Sequence, residues 1–420
     1  MFLNHYTTLI FTIVILSTQL YAHISPQDEV RKRVHSPRKA IDSVAKIEQK
    51  EISIVGSMQH MFSDAKVSGQ IKSIYADYNY KKDAQSDTYT TAIGGIIKYE
   101  LASLYGFNAA AAVYTSHDLN FATGTDIHQN PELSSKKGYY TEMAEAYLNY
   151  KYNDFNFRAG RQTLDTPLAD SDDIRMIQNT FEAYIATYNL NGFKFMAGNI
   201  QHWQGYDAGL EEPWSKTGKN GTNLVGVKYH NKLELSAWYY NITGVTNAFY
   251  IDGGVEYPFS KDVTLHAMVQ YLHESELDKS SIQSSVYGAL LELVFHGIGF
   301  NISYDKALQK MGKKSFSGTG GGTLFTSMDT MILDNIAQDS DAEAIVGGFT
   351  YDYHEFGLLY AYGDFSSDSE HMKEQDIGAQ YNVNDEFLVA GVYAIENDRK
   401  HKQKTDYDWN RFQLLVNYNF

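Results

Sequence analysis

The chain has 420 residues, with 33 Tyr, 22 Phe, 32 Gly, 6 Pro, no Cys and a formal net charge of −16. The missing cysteine excludes disulfides, thiol catalysis and Cys-based metal sites, and the acidic balance argues against nucleic-acid binding, which needs a basic surface. The composition favours strands and tight turns, and no apolar run beyond the N-terminus reaches the roughly 18 residues of a spanning helix.

The first 22 residues read as a secretory signal. Leu9 to Leu20 is a short apolar stretch, and Tyr21-Ala22 offers a small residue for cleavage. Two features depart from the pattern: the n-region carries His5 but no Lys or Arg, and Leu20 is bulky for its position. An uncleaved anchor is the alternative, for which the stretch is short. Residues 23–65 form a polar lead-in with a basic cluster (Arg31, Lys32, Arg33, Arg38, Lys39), and residues 40–50 suit a short helix.

From Lys66 onward, segments with a side-chain period of two recur at a steady pace. Strands are expected near 66–79, 90–102, 105–116, 139–153, 154–162, 179–190, 191–202, 220–230 and 231–242. The second half continues with 247–257, 260–274, 282–296, 297–306, 342–353, 354–364, 373–383, 385–396 and 408–420. Tight turns at Leu104, 153–154, 189–192, 230–231, 258–261, 296–297, 353–354 and 382–385 alternate with generally longer connections. Segregated loop length is the sidedness of a transmembrane antiparallel up-and-down β-barrel, with short periplasmic turns and longer extracellular loops. Soluble sandwiches and propellers have no reason to segregate their loops. The fold expected is therefore all-β: a barrel of about 18 strands over 66–420, preceded by a periplasmic segment at 23–65.

Parity within strands agrees. In 409–420, Phe412, Leu414, Val416, Tyr418 and Phe420 share one face, against a mostly polar face of Arg411, Gln413, Leu415, Asn417 and Asn419. In 139–153, Ala144, Ala146, Leu148, Tyr150 and Tyr152 oppose Glu145, Tyr147, Asn149 and Lys151. Charges take the parity away from lipid, where a midplane charge costs about 2–4 kcal/mol. Tyrosines near strand ends (Tyr78, Tyr80, Tyr150, Tyr152, Tyr239, Tyr240, Tyr351, Tyr353) suit interfacial girdles.

Residues 139–184 carry a distinctive run: GRQ (Gly160, Arg161, Gln162), LDTPL (Leu164 to Leu168), then Asp173, Arg175 and Asn179-Thr180-Phe181. This resembles the OprD-type porins, substrate-selective channels of Gram-negative outer membranes. Gly94 to Leu119 is similar to an early hairpin of that family, and Gly318 to Met331 to a pore-entering loop. The resemblance implies an eighteen-strand barrel in the outer membrane, passive uptake of small hydrophilic solutes (ions, amino acids, carboxylates) and no cofactor. It implies inward-folding constriction loops at 163–178 and 307–341. The end-of-chain Phe420 resembles the signal read by the barrel assembly machinery. Outer-membrane lipid and lipopolysaccharide are the implied surroundings, and a homotrimer the expected assembly.

An eighteen-strand lumen holds water, so selectivity must come from lining charges and inward loops. Parity directs Lys72, Lys98, Lys151, Arg158, Lys194, Lys228 and Arg411 inward, against Glu100, Glu145, Glu182 and Glu234, so a net basic wall is expected. The acidic excess falls in loops: Asp165, Asp170, Asp172 and Asp173 in one, Asp329, Asp334, Asp339 and Asp341 in another, and Asp364, Asp368 and Glu370 in a third. Basic wall against acidic loop would orient dipolar solutes; alternatively these charges merely pair. Arg161 and Arg175 join the constriction set. Strict alternation points Arg161 outward, where it would brace the loop through Asp165 or Asp173, whereas a bulge at Gly160 would re-aim it into the pore. The run from Asp170 to Asp173 could take calcium through hard oxygens but lacks a full binding-loop spacing. The 14 histidines show no HxH or HExxH pair, so no metal site is expected. GTGGG (Gly318 to Gly322) lacks the Lys-Ser/Thr of a phosphate loop, leaving conformational freedom as its use. The competing readings are a barrel phospholipase, for which Ser236 and His266 are the candidate members, and a plugged structural or adhesin barrel.

Overall fold

The first and last long strands of the chain lie side by side, hydrogen-bonded from Gln70 opposite Asn419 to Tyr80 opposite Trp409, and this pairing closes the sheet. Closure satisfies every ladder group and leaves no edge, the condition for crossing lipid with strands. The computed structural model describes residues 52–420 except 84, 120–128, 131, 172–174, 207, 211–212, 232, 317 and 321. The signal sequence expected at 1–22, the helix at 40–50, and Asp172 and Asp173 all lie outside the described residues.

Eighteen antiparallel strands build the barrel. They are β1 (Lys66–Tyr80), β2 (Thr88–Glu100), β3 (Phe107–Asp118), β4 (Tyr139–Tyr152), β5 (Phe155–Gln162), β6 (Thr180–Leu190), β7 (Phe193–Gln204), β8 (Thr222–His230) and β9 (Leu233–Ile242). The circuit continues through β10 (Thr246–Pro258), β11 (Val263–Glu276), β12 (Ser284–Phe295), β13 (Ile298–Gln309), β14 (Ala342–Tyr353), β15 (Phe356–Ser367), β16 (His371–Asn382), β17 (Phe387–Asp398) and β18 (Trp409–Asn419). Every expected strand is present, and short turns and long loops segregate to opposite ends. The turns use left-handed residues where the chain reverses, as at Asn153, Asn191 and His296. Before the barrel, helix α1 (Met58–Ser63) starts at Ser57, whose hydroxyl accepts from the His60 amide at 3.3 Å. This segment docks on the β2–β3 turn, where the Ala102 amide donates to the Met61 carbonyl and the Ser103 amide to the Ser53 carbonyl.

Alternation holds along the staves. Ile71, Ile97, Val225, Ile251, Leu291, Ile302 and Ile377 stand on the outer face and are exposed on the isolated barrel, ready for lipid. Ile302→Arg on mid-β13 should therefore destabilise the barrel by about 2–4 kcal/mol, read as a lowered urea midpoint for refolded protein in bilayers. A polar replacement on the lumenal parity of the same strand should show little of that loss.

Three parity expectations need correction. Ala112 pairs with Glu145 but Val113 with Met143, so Ala144 is the extra residue of a bulge. Ala144 is thereby buried on the inner side rather than facing lipid with Ala146 and Leu148. Tyr78 and Tyr240 are buried in the lumen and belong to no lipid-facing girdle. Asp364 lies in β15, not in a loop.

A large part of the barrel's inner side is an apolar core. Trp238, Tyr240, Tyr250, Leu272, Val286, Val346 and Phe365 on the wall pack against Leu168, Leu324, Met328, Met331, Leu333 and Ile336 from two long loops. The loops enter the barrel because they carry this apolar surface, which burial removes from water.

Candidate constriction and lumenal wall

Two inward segments meet inside the barrel. The first follows β5. Its hairpin turns at Pro167-Leu168, with Asp165 opposite Asp170 and Thr166 opposite Ala169, and the Thr166 hydroxyl donates to the Ala169 carbonyl at 2.9 Å. The Leu168 amide donates to the Tyr240 hydroxyl of β9. The segment then crosses the lumen. Arg175 pairs with Glu132 at 3.1 Å, and its carbonyl accepts from the Lys72 ammonium of β1 at 3.0 Å. Met176 packs against Ile74, Leu388 and Leu415, and Ile177 against Ile96 and Tyr140.

The second segment runs between β13 and β14. Its Thr319 amide donates to the Leu168 carbonyl at 2.9 Å, and the Thr323 hydroxyl donates to the Pro167 carbonyl. Gly318 and Gly320 make this junction possible. Both have positive φ, and a Cβ on Gly320 would stand 2.5 Å from the Asp170 carbonyl oxygen. The expected freedom of GTGGG is thus spent on a close approach of two backbones.

Wall carboxylates hold the second segment. Asp305 accepts from both the amide and hydroxyl of Thr326, each at 2.8 Å. Glu274 accepts from the Ser315 hydroxyl and the Phe316 amide, each at 3.1 Å. Glu374 accepts from the Thr330 and Met331 amides at 3.0 and 2.6 Å. Glu396 accepts from the Thr330 hydroxyl at 2.8 Å. A loop folded inside a barrel must satisfy its amides without water, and charged acceptors make the stronger bonds.

The inward basic residues occupy one continuous arc. Lys72 (β1), Lys98 (β2), Lys151 (β4), Arg158 (β5), Lys194 (β7), Lys228 (β8) and Arg411 (β18) share the lumenal parity, and β18 adjoins β1. Lys72 and Arg411 are buried; Arg411 donates to the Tyr78 hydroxyl at 3.1 Å and pairs with Asp329. Lys98 and the Tyr114 hydroxyl both reach Glu145, at 2.7 and 2.9 Å. Glu100 accepts from the Tyr147 hydroxyl at 3.0 Å. Arg158 stacks 4.2 Å above the Tyr147 ring and donates to Asn149. Lys228 reaches the carboxylate of Asp165 at 3.7 Å, and the register sets Lys194 directly opposite Lys228. Lys151 and Lys194 are exposed. Asp170 is half-buried in the hairpin.

Several expectations fail here. The wall as a whole is not net basic: Glu274, Glu292, Asp305, Glu374, Asp376 and Glu396 also face inward, on β11–β17. Glu182 shares the outward parity of the exposed Tyr184 and Tyr188 and hydrogen-bonds with His202 at 3.1 Å, so it leaves the lumenal set. The Gly160 register is continuous with both β4 and β6, so no bulge re-aims Arg161. Its guanidinium lies 4.2 Å over the Trp214 ring of the next long loop and donates to the Met143 carbonyl. Arg161 points outward, as strict alternation expects, and braces the 205–221 loop, whose Trp214 indole donates to Glu142; the alternative partner Asp173 lies outside the described residues. Ser236 and His266 take the lumenal parity of β9 and β11, away from the outer wall that a barrel phospholipase requires.

At the outer rim, the His401 imidazole lies 2.7 Å from Asp398. That hydrogen bond and the carboxylate's charge raise the His401 pKa above the usual histidine range. A raised folded pKa means the interaction is fully present below about pH 6.5, the unperturbed value, and is lost as pH climbs through the raised value. Amides of the 399–408 loop, once corrected for the intrinsic pH dependence of exchange, should be better protected at pH 5 than at pH 8, and His401→Gln should flatten that difference in protection. Equal protection factors at both pH values would exclude a role for this contact in holding the loop.

Comparison with known proteins places this architecture. A family described as outer membrane porin, OprD family, matches residues 59–420. Among similar solved structures is Pseudomonas aeruginosa OpdK with vanillate, 17% identical with a TM-score of 0.73, covering 85% of this chain and 99% of that one. Acinetobacter baumannii OccAB3 is 14% identical with a TM-score of 0.74, at the same coverages. A BenF-like porin from Pseudomonas fluorescens Pf-5 is 13% identical with a TM-score of 0.74, again covering 85% and 99%. No curated protein matches the chain. A closed barrel of eighteen strands, two loops meeting in its lumen and a family match from α1 to the terminal Phe420 lead to one assignment: the chain belongs to the OprD family, and it is a porin of the Gram-negative outer membrane.

Proposed function

We propose that this porin favours small carboxylate-bearing and zwitterionic solutes, drawn along the basic arc of β18 and β1–β8 and confined by the two inward segments. The observation that carries this reading is the division of lumenal charge. The acids Glu274, Asp305, Glu374 and Glu396 are buried as acceptors for the loop. Arg158, Lys194 and Lys228 keep exposed surface on the opposite arc. The vanillate in the OpdK crystal structure is itself a carboxylate, which supports the same class here. The outer-wall phospholipase reading loses its support with the lumenal placement of Ser236 and His266.

The test is planar-bilayer conductance with reversal potentials in a salt gradient, comparing chloride with small carboxylates. The reading expects a slight anion preference and current block by carboxylates at millimolar concentrations. Strong cation selectivity would sink it, and absence of conductance would favour a plugged barrel.

Assembly belongs to the same proposal. The Phe420 amide donates to the Gly69 carbonyl at 3.1 Å, and its own carbonyl accepts from the Gly69 amide at 3.0 Å, so the last residue completes the closing ladder. Its role as the residue read by the assembly machinery is tested by deleting Phe420 and measuring the barrel recovered from outer membranes. Native mass spectrometry reads the homotrimer and any retained lipopolysaccharide.

A further inference from the structure

Beneath the second inward segment, four carboxylates gather at the β16–β17 wall, and one of them, Asp329, pairs with Arg411. Glu374 and Asp376 stand two residues apart on the inner face of β16, and Glu396 of β17 lies directly opposite Glu374. Asp329 comes down from the loop. All four side chains are buried, with Glu374 and Asp376 at 0% exposure. Carboxylate oxygens of Asp329, Glu374 and Asp376 lie within 4.8 Å of one another.

The donors present do not match this charge. Arg411 pairs with Asp329 and also donates to Tyr78. The Thr330 and Met331 amides serve Glu374, the Thr330 hydroxyl serves Glu396, and the Asp329 amide reaches one oxygen of Asp376 at 3.3 Å. The other oxygen of Asp376, Oδ1, is fully buried with no hydrogen-bond partner. A buried carboxylate without compensation costs several kcal/mol. No donor among the described residues compensates that oxygen, and its nearest charged neighbour on the same strand face, Glu374, is another acid.

We propose that Asp329, Glu374 and Asp376 bind a divalent cation, calcium by its chemistry, with Glu396 beside it, and that the ion pins the inward loop to the β16–β17 wall. The donor set is all hard oxygen with no imidazole or thiolate, which selects against zinc and copper. Calcium takes oxygens at about 2.3–2.6 Å, so ligands across its shell stand roughly 4.6–5.2 Å apart. The three carboxylates, with oxygens no more than 4.8 Å apart, lie close enough to share one such ion. Magnesium holds its ligands at about 2.0–2.1 Å in a rigid octahedron and keeps its waters, which suits a buried three-carboxylate pocket less well. The ion would tie a loop residue to two wall residues, so its effect is on how firmly the loop is seated.

The experiment uses the full mature barrel in detergent, stripped by chelator and dialysed against radioactive calcium, alongside Asp376→Asn and Glu374→Gln. The wild type should retain one ion that both variants lose. Chelation should lower its melting temperature and raise open-channel noise, and calcium should reverse both more effectively than magnesium. Retention of calcium undiminished in the variants would put the ion on surface acids and overturn the assignment. So would melting and noise that ignore the chelator, or that recover on acidification instead, since a shared proton then fills the role. The wild-type chelation arm requires no substitution, so a variant that fails to assemble leaves the test intact. Calcium stoichiometry is also independent of which solute the pore selects.

Discussion

Replacing the segment from Ser315 to Ala337 by a short Gly-Ser linker should raise single-channel conductance severalfold and turn the pore cation-selective. The segment supplies Leu324, Met328, Met331, Leu333 and Ile336 to the lumenal core, so its removal empties a large part of the cross-section. It also uncovers Glu274, Asp305, Glu374 and Glu396, which now spend their lone pairs on its amides and hydroxyls. Once hydrated, these carboxylates concentrate cations along β11–β17, as rings of acids do in cation channels. The barrel should survive the deletion, because its strands are joined by their own ladders. Conductance and reversal potential in a tenfold salt gradient decide the matter. An unchanged conductance would mean that the segment does not narrow the path.

Neutralising the exposed part of the basic arc should have the second-largest effect. Lys228→Gln removes the cation that reaches Asp165, and Arg158→Gln the one stacked on Tyr147. A unit charge about 4 Å from a passing ion in water is worth roughly 1 kcal/mol. Each substitution should therefore lower the anion-to-cation permeability ratio about fivefold at 0.1 M salt. The difference should shrink sharply at 1 M, where the screening length falls to about 3 Å. Persistence of the effect at high salt would point to altered pore shape instead of lost charge. Lys72→Gln is an informative contrast: this ammonium is buried and holds the Arg175 carbonyl, so its loss should unseat the first inward segment and raise current noise.

The barrel was readable in the chain because a membrane imposes few solutions on it. Phe412, Leu414, Val416 and Tyr418 alternating with Arg411, Gln413 and Asn417 repeat the pattern that lipid on one side and water on the other demand. The errors cluster where that dichotomy fails. On β6, Phe181, Ala183 and Ile185 form an apolar face that packs on the inward loops, not on lipid, so Glu182 opposite them was placed on the wrong side. On β4, one extra residue at Ala144 reverses the parity of everything before it. The inward acids of β11–β17 were visible as charges on the lumenal parity. Their purpose was not, because it depends on which loop amides come to them.

Alternation, tight turns and loop length, all local properties, determined an eighteen-strand barrel, its orientation and the chain's own closing strand. The tertiary structure alone decided the character of the lumen. Barrel closure sets Arg411 of β18 beside Tyr78 of β1, 333 residues apart. Entry of the 310–341 segment joins Asp329 to Glu374 and Asp376, and Thr319 to Leu168. Such contacts arise only when distant segments bury apolar surface together and must then satisfy their amides in the absence of water.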